Sequence, residues 1–245
     1  MSSAAGAIRI ARDGAVATLT IDRPRSGNAL DRAAVAELRA ALAALPGEVE
    51  LIVVRGAGGR SFCGGADSRE MVALAPAERQ QAMAAFGDCC VELWNHPALS
   101  VAVVDGYATG GGAHLACACD LRVLAPSAWL QFPSSRYGLN ITAVWLTALV
   151  GAANATMLLG SAQRVDAATA ERLGIAQAVG ECDDALALLG LERPAGLREA
   201  KAAIRGASSP HLGSSLLAER NRAVELIARD RFVDSLSQEA SVRGA

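Results

Sequence analysis

Residues 101–114 read Val101-Ala-Val-Val-Asp105-Gly-Tyr-Ala-Thr-Gly110-Gly-Gly-Ala-His114. The apolar run 101–104, short and bounded by charge and glycine, predicts a buried strand, and the triple glycine opens a short helix. Amides at a helix start have no internal acceptor, and glycine lets another group come close to them. The same pattern lies upstream. A buried strand is predicted over 51–54, followed by a helix over 76–95 with Met83, Phe86, Cys90 and Leu93 on one stripe. Before these, residues 15–21 alternate, with Ala17, Leu19 and Ile21 on one face, and residues 33–45 place Val35, Leu38, Leu42 and Leu45 at helical spacing ahead of Pro46-Gly47. Residues 121–124 are another strand. Alternating strands and helices predict an α/β core with largely parallel pairing.

Beyond Thr142 the strand signal stops. Helices are expected over 143–150, 155–159 and 167–173, the last between Asp166 as N-cap and Gly174 as C-cap. Residues 137–163 carry no charge and are long enough for a bilayer. Asn140, Thr142, Thr147, Asn154 and Thr156 interrupt them, and Gly151-Ala-Ala-Asn154 reads as a helix stop and a new N-cap, so two buried helices and no membrane span are expected. The tail 197–239 is helical, with Leu217, Val224 and Ile227 as an apolar stripe that serves either a subunit interface or the chain's own core. The expected division is a core over 1–190 and a C-terminal helical region over 191–245.

With 23 basic and 25 acidic side chains in 245 residues, a net charge of −2 and no basic block, the sequence carries no footprint for nucleic acid. Lys201 is the only lysine, so anion contacts fall to arginine or to backbone amides. No basic segment followed by a long apolar one opens the chain, which gives a cytoplasmic expectation. Six cysteines in such a compartment read as reduced thiols. A metal at His114-x-x-Cys117-x-Cys119 is not expected, because helical geometry turns Cys119 away from His114 and Cys117.

Phe62-Cys-Gly-Gly-Ala-Asp67, Gly106-Tyr-Ala-Thr-Gly-Gly-Gly112 and Gly56-x-Gly58-Gly59 fit neither the dinucleotide nor the P-loop pattern. Together with Asp22-Arg-Pro-x-x-x-Asn28-Ala-Leu30, Cys119-Asp-Leu-Arg122 and Ala170-x-x-x-Gly174, they resemble the crotonase (enoyl-CoA hydratase/isomerase) superfamily from about Ile8 to Gly180. The resemblance implies a spiral of ββα units closed by C-terminal helices, a homotrimer or dimer of trimers, and an acyl-CoA thioester as ligand, with no further cofactor. It places an oxyanion hole on the amides of Ala66 and Gly111, and coenzyme A along Asn28, Ala29, Leu30, Ala66, Asp67, Ser68, Arg69 and Gly110. Arg23 and Arg25 are candidates for its phosphates, solvated surface arginine being the other reading.

The departures bear on chemistry. Where hydratases of that superfamily carry two glutamates, this chain has His114 and Ser134, and the dehalogenase aspartate position is Thr142. Adding water across a double bond needs one group to activate water and another to protonate carbon. Three readings stay open: an acyl-CoA binder in fatty-acid metabolism with little or no hydratase activity, an enzyme using His114 as general acid/base, and a structural subunit. Asp105 and Asp120 read as turn or helix-end aspartates.

Overall fold

In the computed structural model, which describes residues 6–192, 194–207, 211–229 and 232–236, the strands form two sheets. The larger runs β1 (Ile8–Asp13), β2 (Val16–Ile21), β3 (Leu51–Gly56), β5 (Leu99–Val104), β7 (Leu121–Leu124), β10 (Ala178–Val179), and the smaller runs β4 (Ser61–Cys63), β6 (Tyr107–Thr109), β8 (Trp129–Gln131), β9 (Arg164–Asp166). Among the described residues, only the β1–β2 and β8–β9 pairs are antiparallel. Each of β3/β4, β5/β6 and β7/β8 gives one strand to each sheet and then a helix: α2 (Ser68–Ala73) with α3 (Pro76–Asn95), α4 (Gly111–Ala118), and α5 (Ala143–Ser161), while α6 (Ala167–Arg172) follows β9. The helix returns the chain to the starting end of the sheet, which makes the pairing parallel. This repeat is the spiral of ββα units.

Burial follows the sequence pattern. On β2, Ala17, Leu19 and Ile21 have no exposure, while Val16, Thr18 and Thr20 are half-buried. Helix α1 (Arg32–Ala43) starts on Asp31, whose carboxylate accepts from the Ala34 amide at 2.8 Å, and buries Val35, Leu38 and Leu42. The apolar run in β3 reflects burial on both faces. Ile52 and Val54 join the main core, while Leu51 and Val53 pack with Val101, Val103 and Val123 beneath Ala185 of α7 (Ala185–Leu188). Such a strand shows no alternation.

Three expectations change, and one strand was not expected: β1 is an edge whose residues are mostly exposed, Ile10 among them. Helix α5 does break at Gly151 (φ 75, ψ 164), but the two halves are not buried helices: only Trp145, Leu146, Ala155 and Leu158 are buried. It is also long and apolar enough by length and composition to cross a membrane. Asn154 is not an N-cap; its side-chain amide donates back to the Val150 carbonyl at 3.1 Å. In the tail, helix α9 (Leu212–Ile227) buries Leu216, Glu219, Ala223 and Ile227 against the chain's own core, leaving Leu217 53% exposed. The register of the stripe was one residue off at its start. The rest of the predicted tail comprises α8 (Leu197–Ala207) and residues 232–236, and its last residues lie outside those described.

Helix α8 is fixed by charge. Asp120 accepts from the Ser100 amide and hydroxyl, both at 2.8 Å, and pairs with Lys201 at 2.8 Å and Arg205 at 2.6 Å. Lys201 also donates to the Ala98 carbonyl at 3.0 Å, and Arg205 lies over the Trp94 ring. The lysine side chain is only 7% exposed, so removing its partner strands a desolvated charge. Asp120→Ala is expected to cost about 3 kcal/mol in urea unfolding. Adding Lys201→Met should recover part of that loss, and no recovery would show that the buried charge is not the cause.

Candidate functional site

After β4 the chain turns through Gly64, Gly65 and Ala66. Gly65 has φ +92, and a Cβ there would stand 2.9 Å from the Thr109 carbonyl oxygen and 3.0 Å from the Gly111 nitrogen. The loop therefore lies directly on the start of α4. Its other side is held by an isolated bridge: the Leu30 amide donates to Gly65 at 2.8 Å and the Asp67 amide to Leu30 at 2.9 Å. Asp67 then caps α2, accepting from Arg69 at 3.1 Å and Glu70 at 3.4 Å.

Two amides are left over. Gly111 is the first residue of α4, so its N–H has no helical acceptor. Among the described residues neither it nor the Ala66 N–H donates to a protein group. A Cβ on Gly111 would lie 3.5 Å from the Ala66 nitrogen and 3.3 Å from the Phe86 ring, so what Gly111 requires is close approach. The positive φ belongs to Gly110 (φ 54, ψ −122). Ala66 is exposed and Gly111 half-buried, so both remain reachable.

Hollows flank this point. A cleft between α1, α2 and α3 is lined by Leu30, Val35, Ala66, Met71, Met83 and Phe86. A second cavity, between α3, α4, α5 and α9, is lined by Met83, Phe86, Cys90, His114, Trp145 and Glu219. Met83 and Phe86 belong to both walls. The Phe86 ring lies 5.8 Å from the His114 ring, tilted by 49°.

His114 is 8% exposed, with Nδ1 3.0 Å from the Thr142 hydroxyl. Burial in this apolar wall drops its pKa from 6.5 to about 4. Ser134 lies in a 3-10 turn, buried, its hydroxyl donating to the Ile141 carbonyl at 3.2 Å. Thr142 ends that connection in the left-handed region (φ 74).

The residues assigned to coenzyme A separate into two groups. Arg23 is occupied, pairing with Asp31 at 2.5 Å and Asp67 at 3.4 Å and donating to the Ala29 carbonyl. Asn28 is fully buried at φ 56, its side chain bonded to Arg23, Ala57 and Ser61. The amides of Asn28, Ala29 and Leu30 donate within the protein. The turn thus holds the Ala66 loop from behind, and Leu30 alone of the three lines the cleft. Arg25, Ser68 and Arg69 are exposed. Asp120 is committed to α8, and the cysteines carry no disulfide. Burial pushes the Cys117 and Cys119 thiols up to about 11 and about 12.

Sequence reasoning missed Glu219. It is 7% exposed, and its oxygens accept from the Thr142 amide at 3.0 Å and the Val144 amide at 2.7 Å, capping α5 from α9. Burial raises its pKa, and the amides oppose that shift. Its signal was a charge on an otherwise apolar helical stripe with Leu216, Ala223 and Ile227.

The profile of the family described as enoyl-CoA hydratase/isomerase matches residues 11–226. The chain belongs to the enoyl-CoA hydratase/isomerase family. It is 38% identical over 191 residues to a probable enoyl-CoA hydratase, echA6, of Mycobacterium bovis, covering 74% of this chain and 73% of that protein. It is 34% identical to a crotonyl-CoA hydratase of Syntrophomonas wolfei, covering 70% of this chain and 68% of the other. An enoyl-CoA hydratase structure from Mycobacterium avium subsp. paratuberculosis superposes with a TM-score of 0.83 at 26% identity, over 97% of this chain and 100% of that one.

In this family member the neutral histidine sets an acid limit. The unfolded chain binds a proton at His114 near pH 6.5, whereas the folded protein does so near 4. The stability that this contributes is fully present above 6.5 and is lost as pH falls towards 4. Glu219, raised by burial, acts in the opposite direction, so the clean readout is a difference between proteins. Relative to His114→Gln, the unmodified protein should lose about 3 kcal/mol of unfolding free energy on going from pH 7 to 4. Parallel curves from urea titrations would refute the shift.

Proposed function

We propose that this chain binds acyl-CoA thioesters with the carbonyl oxygen between the amides of Ala66 and Gly111, and that it hydrates enoyl thioesters little or not at all. One observation carries the reading: two unpaired, reachable amides meet beside apolar hollows whose neighbouring candidate groups, a buried imidazole of lowered pKa and a hydroxyl tied to a carbonyl, are poorly suited to proton transfer. Preorganised donors of this kind stabilise a thioester oxygen and the charge that develops on it. Ser134 has a hydroxyl far too weakly acidic to replace a carboxylate, and it is tied to a carbonyl. The alternative, His114 as general acid/base, is weakened by burial, because an imidazole with a pKa of about 4 is unprotonated at pH 7 and a weak base. Exposed Arg25 and Arg69 are the arginines left for the phosphates. The chain is proposed to act in the cytoplasm, in fatty-acid metabolism.

Native mass spectrometry with acyl-CoAs of graded length should show binding without mass change over time. Crotonyl-CoA hydration should run at least roughly a thousandfold below an active family member, given what each acid/base group contributes. Gly111→Val crowds Phe86 and Ala66, and should weaken binding about tenfold or more in a folded protein. Unchanged affinity would remove the placement, and robust hydration would remove the binder reading. Restoring carboxylates with His114→Glu and Ser134→Glu should raise the hydration rate.

A homotrimer or dimer of trimers is proposed as well, with the contact moved from α9 to α5. Helix α9 turns its buried stripe to the chain's own core, whereas α5 exposes Ala148, Ala152, Ala153 and Met157. Sedimentation should show an assembly that Met157→Arg dissociates; a stable monomer at micromolar concentration would rule it out.

A further inference from the structure

Among the described residues the cations Arg79, Arg122 and Lys201 are buried, and they are not served alike. Arg122 spends its guanidinium on the carbonyls of Ala116, Cys119, Asp120 and Ile175 and on the Gln177 side chain. Lys201 has Asp120 at 2.8 Å and the Ala98 carbonyl at 3.0 Å. Arg79, 5% exposed, has one acceptor, the Leu74 carbonyl, which Nη1 meets at 2.8 Å. Its Nε is sealed in without a partner, and among the described residues it makes no ion pair. Nη2 has no protein acceptor either, yet it is not one of the sealed atoms, so a small group can reach it. A desolvated guanidinium is costly unless an anion meets it.

The place of Arg79 in the fold says which anion. Helix α3 turns Arg79, Met83 and Cys90 to the interior, and Met83 lines both hollows. Arg79 stands one turn beyond Met83, on the side away from Gly111. Met71 and Leu74 join Met83 in a cluster with Ile141 and Ala223, which line the second cavity. Phe86, whose ring would lie 3.3 Å from a Cβ on Gly111, comes seven residues after Arg79. That is about 10 Å along the helix, and the arginine side chain leans further towards the helix start. A thioester carbonyl on the Gly111 amide thus lies roughly 10–14 Å from the guanidinium. An extended chain, advancing about 1.2 Å per bond, covers that span with roughly eight to ten carbons.

We propose that Arg79 receives a carboxylate at the far end of the acyl chain, so that the site prefers thioesters of medium-length dicarboxylic acids to those of monocarboxylic acids of equal length. The proposal rests on the acyl-CoA reading above and names a substrate class within it. The two unserved nitrogens, Nε and Nη2, form one edge of the planar guanidinium, and that edge offers the parallel pair of donors that a carboxylate takes. Seating the carboxylate requires the neighbours that cover Nε to move, and Met71 and Met83 are side chains that change shape readily. A methyl end would leave the edge unserved.

Competitive binding at pH 7 tests this with sebacoyl-CoA against decanoyl-CoA and suberoyl-CoA against octanoyl-CoA. The unmodified protein should prefer the dicarboxylic member of at least one pair roughly tenfold or more, the worth of a hydrogen bond to a charged group. Arg79→Met keeps the length of the side chain and removes the charge, and it should abolish or reverse the preference, because an ionised carboxylate then meets an apolar wall. Arg79→Lys keeps a cation without the fork and should lower the preference. It decides if the methionine variant does not fold. No preference in the unmodified protein, the same preference in Arg79→Met or an undiminished one in Arg79→Lys overturns the proposal alone. Binding of none of the four thioesters overturns the acyl-CoA reading and this proposal with it.

Discussion

Everything in this fold depends on how closely strand β4 is surrounded by backbone. A Cβ at Gly56 would collide with the carbonyls of Ser61 and Phe62, one at Gly106 with that of Arg60, and one at Gly112 with that of Cys63. Three glycines from the end of β3, the β5–β6 turn and α4 thus clamp four consecutive residues. No larger side chain fits without moving backbone, which a packed interior resists. This clamp puts the small sheet against the large one, and it places the turn after β4 on the first residue of α4. The meeting of the Ala66 and Gly111 amides is a by-product of that packing.

The glycines were visible in the sequence, but their separate tasks were not. Read along the chain, Gly110, Gly111 and Gly112 all suit close approach of a ligand. In space they divide: Gly110 supplies a dihedral pair closed to other residues, Gly111 offers its amide, and Gly112 serves the protein's own packing. The strands and helices of the ββα units were legible because burial on two faces, or on one helical stripe, leaves a periodic trace. Edge strand β1 leaves only the short Ile8-Arg-Ile10 alternation, and α5 misled because an apolar composition says nothing about which neighbour covers it.

Side-chain commitments were the least legible part of the site. Arg23 and Asn28 fall on motif positions that suggest ligand contact, yet their hydrogen-bonding capacity is used inside the loop they stabilise. Satisfaction of polar groups is a property of the assembled structure, and nothing in the order Asp22-Arg-Pro reveals that Asp31 and Asp67 will converge on one guanidinium. Glu219 illustrates the same limit from the other side. A carboxylate 105 positions after His114 enters its cavity only because α9 folds over α3, fixed there by Arg220 on Asp88 at 2.9 Å.

The polar groups around the cavities also weigh on the chemistry. The amides of Ala66 and Gly111 and the Trp145 N–H are donors. The acidic groups are occupied: Asp31 is paired with Arg23 and Glu70 with Arg32, and Glu219 is held by backbone amides at the start of α5. Backbone amides at a helix start favour the charged form of such a carboxylate, while burial opposes that charge and raises its pKa. Taking a proton from water would require Glu219 to give up the bonds that hold Thr142 and the first turn of α5. A site rich in preorganised donors and without a free base is suited to holding a carbonyl oxygen, and it lacks the second half of what water addition requires.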